Sequence, residues 1–195
     1  MNNTMLKHLP MPINTMPINQ QTSAVYSNSI TEPRELNKNL LSAFLRLQNE
    51  TGIRKTHLFD GRYENIYINA EHIPELALLM KDAVKSAVAI LNTKNLRAGF
   101  WFNYMPPGST TTLHTHDDDD ELLSAVYYVH APDDSGNLIL YDDADNNTKK
   151  IAKKIEITPK AGNFIFFKPD APHEVSRNNS NEHRLSIGIN FGIDQ

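Results

Sequence analysis

From Gly99 onward the chain is written in short apolar runs separated by turn clusters, and this texture constrains the fold more than any other feature. Runs rich in aromatic and β-branched residues occupy 100–104, 122–129, 138–141, 154–157, 163–167, 174–176 and 185–191. Pro-Pro-Gly at 106–108, Asp-Asp-Ser-Gly at 133–136 and Asp-Ala-Asp-Asn-Asn at 143–147 lie between them. Many short strands joined by turns make a β-sandwich or barrel.

The first half reads differently. Residues 1–30 are polar and interrupted by Pro. Thr31-Glu32-Pro33 opens a helix with Leu36, Leu40, Phe44 and Leu47 at helical spacing, and Gly52 stops it. A short strand is expected at 65–68, where Ile66 and Ile68 alternate with polar residues. Pro74 opens a second helix with an apolar stripe of Ile73, Ala77, Met80, Val84, Val88 and Leu91, closed by Asn92. Both stripes read as core packing. The expected fold is mainly β with N-terminal helices. An extension over 1–98 packs its two helices on a β-core over 99–195, the whole forming one compact unit.

Charge and composition narrow the function. Nineteen Lys and Arg against 23 Asp and Glu leave a formal charge of −4, which gives no electrostatic footprint for nucleic acid or an anionic membrane. No run approaches the roughly 18–20 apolar residues of a membrane span. The opening residues carry Pro and Asn where a secretory signal needs an unbroken apolar stretch, so a cytoplasmic location is expected. Cys is absent, which removes disulfides, thiolate zinc sites, iron–sulfur clusters and cysteine nucleophiles. Any metal must be held by His and carboxylates.

Among the His residues, His8, His57 and His72 lack partners at ligand spacing and read as surface groups, and His130 reads as a strand-end residue. His114-Thr115-His116 is different: on a strand, side chains two apart share a face, so both imidazoles can reach one metal. Downstream, the apolar run 163–167 leads through Pro169-Asp170-Ala171-Pro172 to His173, where a third imidazole completes the set. Arg184 and Ser186 also share one strand face, and together they can hold a carboxylate by a charge-assisted fork and a hydroxyl. The acidic run 117–121 reads as groups that orient the imidazoles, as a calcium loop, or as a solvated turn. The stretch from Asp143 lacks Gly at the sixth position and has Lys154 at the twelfth, so it is a solvated turn rather than a calcium loop.

Taken jointly, Trp101-Phe102-Asn103-Tyr104, Pro107-Gly108, His114-Thr115-His116, the run 123–129, Gly162, His173 and Arg184-x-Ser186 carry a family resemblance. Residues of about 99–192 resemble the iron(II)/2-oxoglutarate-dependent oxygenase superfamily, closest to a small bacterial and phage group of 2OG-Fe(II) oxygenases. The resemblance implies a double-stranded β-helix core, the jelly-roll or cupin-like fold, with Fe(II), 2-oxoglutarate as cosubstrate, and O2. It implies hydroxylation of an unactivated C–H of a small-molecule or amino-acid-like substrate, with release of succinate and CO2. Its metal ligands fall on His114, His116 and His173. The superfamily's first motif is usually His-x-Asp or His-x-Glu, and a register shifted by two residues would instead use His116 and Asp118. Arg184 and Ser186 match the grip on the cosubstrate's distal carboxylate, and Tyr104 and Tyr128 match its tyrosine contacts. The alternative is a cupin-type metal-dependent dioxygenase or isomerase that does not use 2-oxoglutarate. Gly108, His114-x-His116 and Glu121 echo a cupin motif, but Tyr128 stands where its next glycine belongs and Arg184-x-Ser186 has no task there. A jelly-roll binding module without metal is a third reading.

Overall fold

The computed structural model describes residues 11–12, 25–116, 120–141 and 154–194. Its helices are α1 (Arg34–Leu47) and α2 (Glu75–Leu91). The strands before Gly99 are β1 (Met11–Pro12), β2 (Tyr26–Ser29), β3 (Arg54–Phe59) and β4 (Arg62–Tyr67), and β5 (Leu96–Met105) runs across that point. Those after it are β6 (Thr111–His114), β7 (Glu121–His130), β8 (Leu138–Tyr141), β9 (Lys154–Ile157), β10 (Asn163–Phe167), β11 (His173–Val175) and β12 (Arg184–Ile193). An eight-stranded antiparallel sheet has the order β1-β2-β10-β7-β12-β5-β4-β3, and a four-stranded sheet the order β6-β11-β8-β9. The seven expected runs all become strands, the strand expected at 65–68 overlaps β4, and β1, β2, β3 and β6 are additions.

Strand alternation decides which residues face the site. Tyr127, Phe164, Phe102 and Ile187 join Leu40, Phe44, Leu76 and Leu79 in one buried cluster, so this face of the large sheet packs on the helices. The intervening residues look the other way: Tyr128, Ile165 and Phe167 pack with Leu138 and Leu140 of the small sheet. Both faces of the central strands are therefore covered, which is why their sequences read as nearly continuous apolar runs. A buried hydrogen bond of 2.6 Å, from the Tyr127 hydroxyl to Asn37 Oδ1, ties α1 to β7.

Pro33 and Pro74 stand at the N-caps and Asn92 takes the left-handed conformation after α2 (φ 49°), as the sequence signals imply, whereas α1 ends at Leu47, short of the expected stop at Gly52. The buried residues of α2 are Leu76, Leu79, Ala83, Ser86 and Ala87. Of the expected stripe, Ile73 is buried and Met80, Val84 and Leu91 pack against the same core, while Ala77 is exposed, a correction at that position. Apolar residues surround most of this helix, so two stripes compete and sequence periodicity has no single phase. No helix among the described residues is long and apolar enough to cross a membrane.

Candidate active site

The two sheets bring His114, His116 and His173 together. His114 ends β6 and His173 begins β11, and the two are direct cross-strand partners. His116 follows two residues after the strand, and its backbone N–H donates to the Pro169 carbonyl at 2.8 Å, joining its loop to the one that precedes β11. Potential ligand atoms of the three imidazoles lie within 4.8 Å of one another, the one such group among the described residues. Asp118, the alternative ligand, and the turn at 142–147 lie outside the described residues.

Each ring is fixed through its second nitrogen. His114 Nδ1 donates to the Thr112 carbonyl and His173 Nδ1 to the Ala171 carbonyl, each at 2.8 Å. His116 Nδ1 meets the Ser124 hydroxyl at 2.9 Å. That hydroxyl already donates its proton to Asn190 Oδ1 at 2.9 Å, so the imidazole is the donor. Three Nδ1–H tautomers leave three Nε2 lone pairs available, the arrangement by which protein groups orient metal-binding histidines. Burial, reinforced by His114 alongside, pulls His173 down to about 3, so this ring is neutral and ready to ligate.

A narrow cavity runs from the imidazoles inward to Arg184 and Ser186. The Arg184 guanidinium is 1% exposed, donates to the Gly136 carbonyl at 2.9 Å and lies 5.0 Å from the Tyr128 ring centroid. Its Nε and the Tyr128 hydroxyl are buried without partners. Burial lowers the Arg184 pKa from its ordinary value, and no carboxylate among the described residues pairs with it. A buried cation with spare donors beside a three-imidazole cluster fits a metal-chelating ligand with a second carboxylate at its inner end. Fe(II) and 2-oxoglutarate meet both requirements.

Tyr104 stands elsewhere. Trp101 and Asn103 of β5 face the cavity, and alternation turns Tyr104 to the helix side. There its ring lies 5.2 Å from Phe44 and stacks on His183 at 4.6 Å. The expected cosubstrate contact is thus corrected for Tyr104, while Tyr128 lies against Arg184. Sequence reasoning also missed Ser124 and Asn190 behind His116, although a lone Ser in the apolar run 122–129 is a visible signal. It missed Gly188 as well, whose partner across the ladder is Trp101. Outside the imidazoles a bowl of ≈ 800 Å³ opens to solvent, walled in part by the β3–β4 hairpin.

Residues 99–190 match the family described as "Putative 2OG-Fe(II) oxygenase". No curated protein matches the chain. Among solved structures, the non-heme alpha ketoglutarate dependent carbocyclase SnoK of nogalamycin biosynthesis is similar with a TM-score of 0.69 and 13% identity, over 87% of this chain and 79% of that one. A Pseudomonas putida prolyl-4-hydroxylase gives a TM-score of 0.60 and 22% identity, over 88% of each chain. The epimerase SnoN, solved with Fe3+, alpha ketoglutarate and nogalamycin RO, gives 0.65 and 15%, over 87% of this chain and 78% of that one. These likenesses show the double-stranded β-helix fold.

Proposed function

We propose that this chain, which carries a 2OG-Fe(II) oxygenase domain over residues 99–190, hydroxylates an unactivated C–H of a small molecule or amino-acid-like substrate. The observation that carries this reading is one cavity with three Nδ1-anchored imidazoles at its mouth and a buried guanidinium at its end. Bound Fe(II) and 2-oxoglutarate supply O2 activation coupled to oxidative decarboxylation of the cosubstrate to succinate and CO2.

The chain's own residues do the positioning. His114, His116 and His173 offer Nε2 to the metal, and the carbonyls of Thr112 and Ala171 with the Ser124 hydroxyl keep each ring in the ligating tautomer. Arg184 and Ser186 hold the distal carboxylate, and the unpartnered Tyr128 hydroxyl is a further donor beside them. Phe167 presses on His173 at 4.8 Å between centroids and keeps water from that ligand. The β3–β4 hairpin, the middle of β5 and β6 form the bowl that receives the substrate. A cupin enzyme without 2-oxoglutarate would leave the buried Arg184 with no task.

Metal analysis after anaerobic purification tests the ligand set. One Fe(II) per chain is expected in the wild type, with near-complete loss in His173→Ala and His116→Ala. Asp118→Ala should retain it within the roughly 10–100-fold affinity loss typical of groups behind the ligands. Complete loss in Asp118→Ala with retention in His114→Ala would assign the shifted register instead. A hydroxylated product must gain one oxygen atom for each succinate released.

A further inference from the structure

The outer wall of the bowl holds a second set of polar groups, separate from the imidazoles. On the β3–β4 hairpin Arg54 lies opposite Tyr67 and Thr56 opposite Asn65, so these side chains share one face. Strand alternation would send residue 57 to the other face. Instead His57 has φ 56°, in the left-handed region, and its Nδ1 meets Thr56 Oγ1 at 2.9 Å and Asn65 Nδ2 at 3.1 Å. Backbone strain of this kind in a residue other than Gly persists where surrounding contacts impose it, and such places cluster at ligand-binding sites.

The hydrogen bonds fix what this wall presents. An amide nitrogen can only donate, so His57 Nδ1 accepts and its proton sits on Nε2. Arg54 is held over the Tyr67 ring at 4.5 Å, and no carboxylate among the described residues pairs with it. Glu64, the carboxylate of β4 that faces the bowl, is already occupied: Thr112 donates to it from both N–H and hydroxyl, at 2.9 and 2.8 Å, and Arg62 lies at 3.5 Å. The hairpin therefore offers the bowl a cation and an oriented N–H donor.

We propose that Arg54 and the His57 Nε2–H bind a carboxylate of the primary substrate, which makes that substrate a small carboxylic acid. The inference deepens the oxygenase reading and rests on it. Arg54 and His57 line the same ≈ 800 Å³ bowl as His114 and His116, a size within the roughly 300–1,000 Å³ of small-molecule sites. An acid anchored on the hairpin has its carbon skeleton directed toward the imidazoles.

The test uses the anaerobic Fe(II) protein saturated with 2-oxoglutarate. The probes are the twenty protein amino acids and, separately, their C-terminal amides. Trp101 is the chain's single Trp and lines the bowl, so its fluorescence reports occupancy. At least one acid should bind, and its amide should bind about ten- to a hundredfold more weakly, as expected for a lost charge-assisted hydrogen bond. Arg54→Ala and His57→Asn should weaken the acid by a similar factor with iron content and the 2-oxoglutarate titration unchanged, and Arg54→Lys should recover part of the loss. Silence of every acid, equal binding of acid and amide, or unchanged binding in Arg54→Ala overturns the proposal. Failure of the oxygenase reading would be seen separately, as a wild type that binds no iron or no 2-oxoglutarate before any amino acid is added.

Discussion

Each imidazole of the candidate metal site depends on a neighbour outside the cluster. The Thr112 and Ala171 carbonyls and the Ser124 hydroxyl set which nitrogen faces the cavity, and without them either tautomer could form. His173 is also constrained by protonation. Burial and the adjacent His114 hold it at about 3, against 6.5 for an ordinary His. Between those values the unfolded chain binds more protons than the metal-free fold, so stability falls as pH drops through that window and is level above it. At ~1.4 kcal/mol per pH unit, the full effect amounts to several kcal/mol. Denaturant unfolding of the metal-free protein at about pH 7.5 and pH 5 should show the part of this loss that falls above pH 5, about 2 kcal/mol, and His173→Gln should reduce it. An identical pH dependence in the variant would refute the assignment.

Among the elements, β12 has two tasks on its two faces. Leu185, Ile187, Ile189 and Phe191 bury in the helix-side core, while Arg184, Ser186 and Gly188 line the cavity. Gly188 makes room for the Trp101 indole: a Cβ at residue 188 would fall 2.4 Å from ring carbons of Trp101. That indole also meets the His116 ring edge-on, 5.3 Å between centroids. Gly188→Ala should therefore displace Trp101, cost about 1–3 kcal/mol in denaturant unfolding, and depress turnover more than iron binding. Wild-type stability and turnover in the variant would show that the notch has no such role. How much of this was legible in the sequence depended on local contrast. Pro33, Pro74 and Asn92 marked the helices because each acts on its own backbone. The candidate pair His114 and His116 stood out by its spacing of two, although β6 ends at His114 and His116 sits in the loop beyond it. Tyr104 misled because β5 has aromatic residues on both faces, at Phe100, Trp101, Phe102 and Tyr104, and so gives no phase. The β3 segment Arg54–Phe59 begins with charged residues and lacks alternation, so neither the strand nor its turned-over His57 announced itself.

At the scale of the molecule, the helix-side cluster is continuous from Leu40 and Leu79 to Phe102, Phe164 and Ile187. That continuity places the two helices behind the sheet that holds Arg184. The fold buries that guanidinium against a carbonyl and an aromatic face, leaving its charge uncompensated by any described carboxylate. An isolated buried charge is costly, and a bound dicarboxylate would compensate it. Losing one partner of a desolvated charge pair costs roughly 2–5 kcal/mol, about 30- to several-thousand-fold in affinity. The most direct measurement is an anaerobic titration of the Fe(II) protein with 2-oxoglutarate, followed by the visible charge-transfer band of the chelate. The wild type should develop the band. Arg184→Ala should need at least tens of fold more 2-oxoglutarate with its iron retained, and Arg184→Lys should recover only part, since an ammonium lacks the planar fork. No band in the wild type, or the same titration curve in Arg184→Ala, would contradict the account.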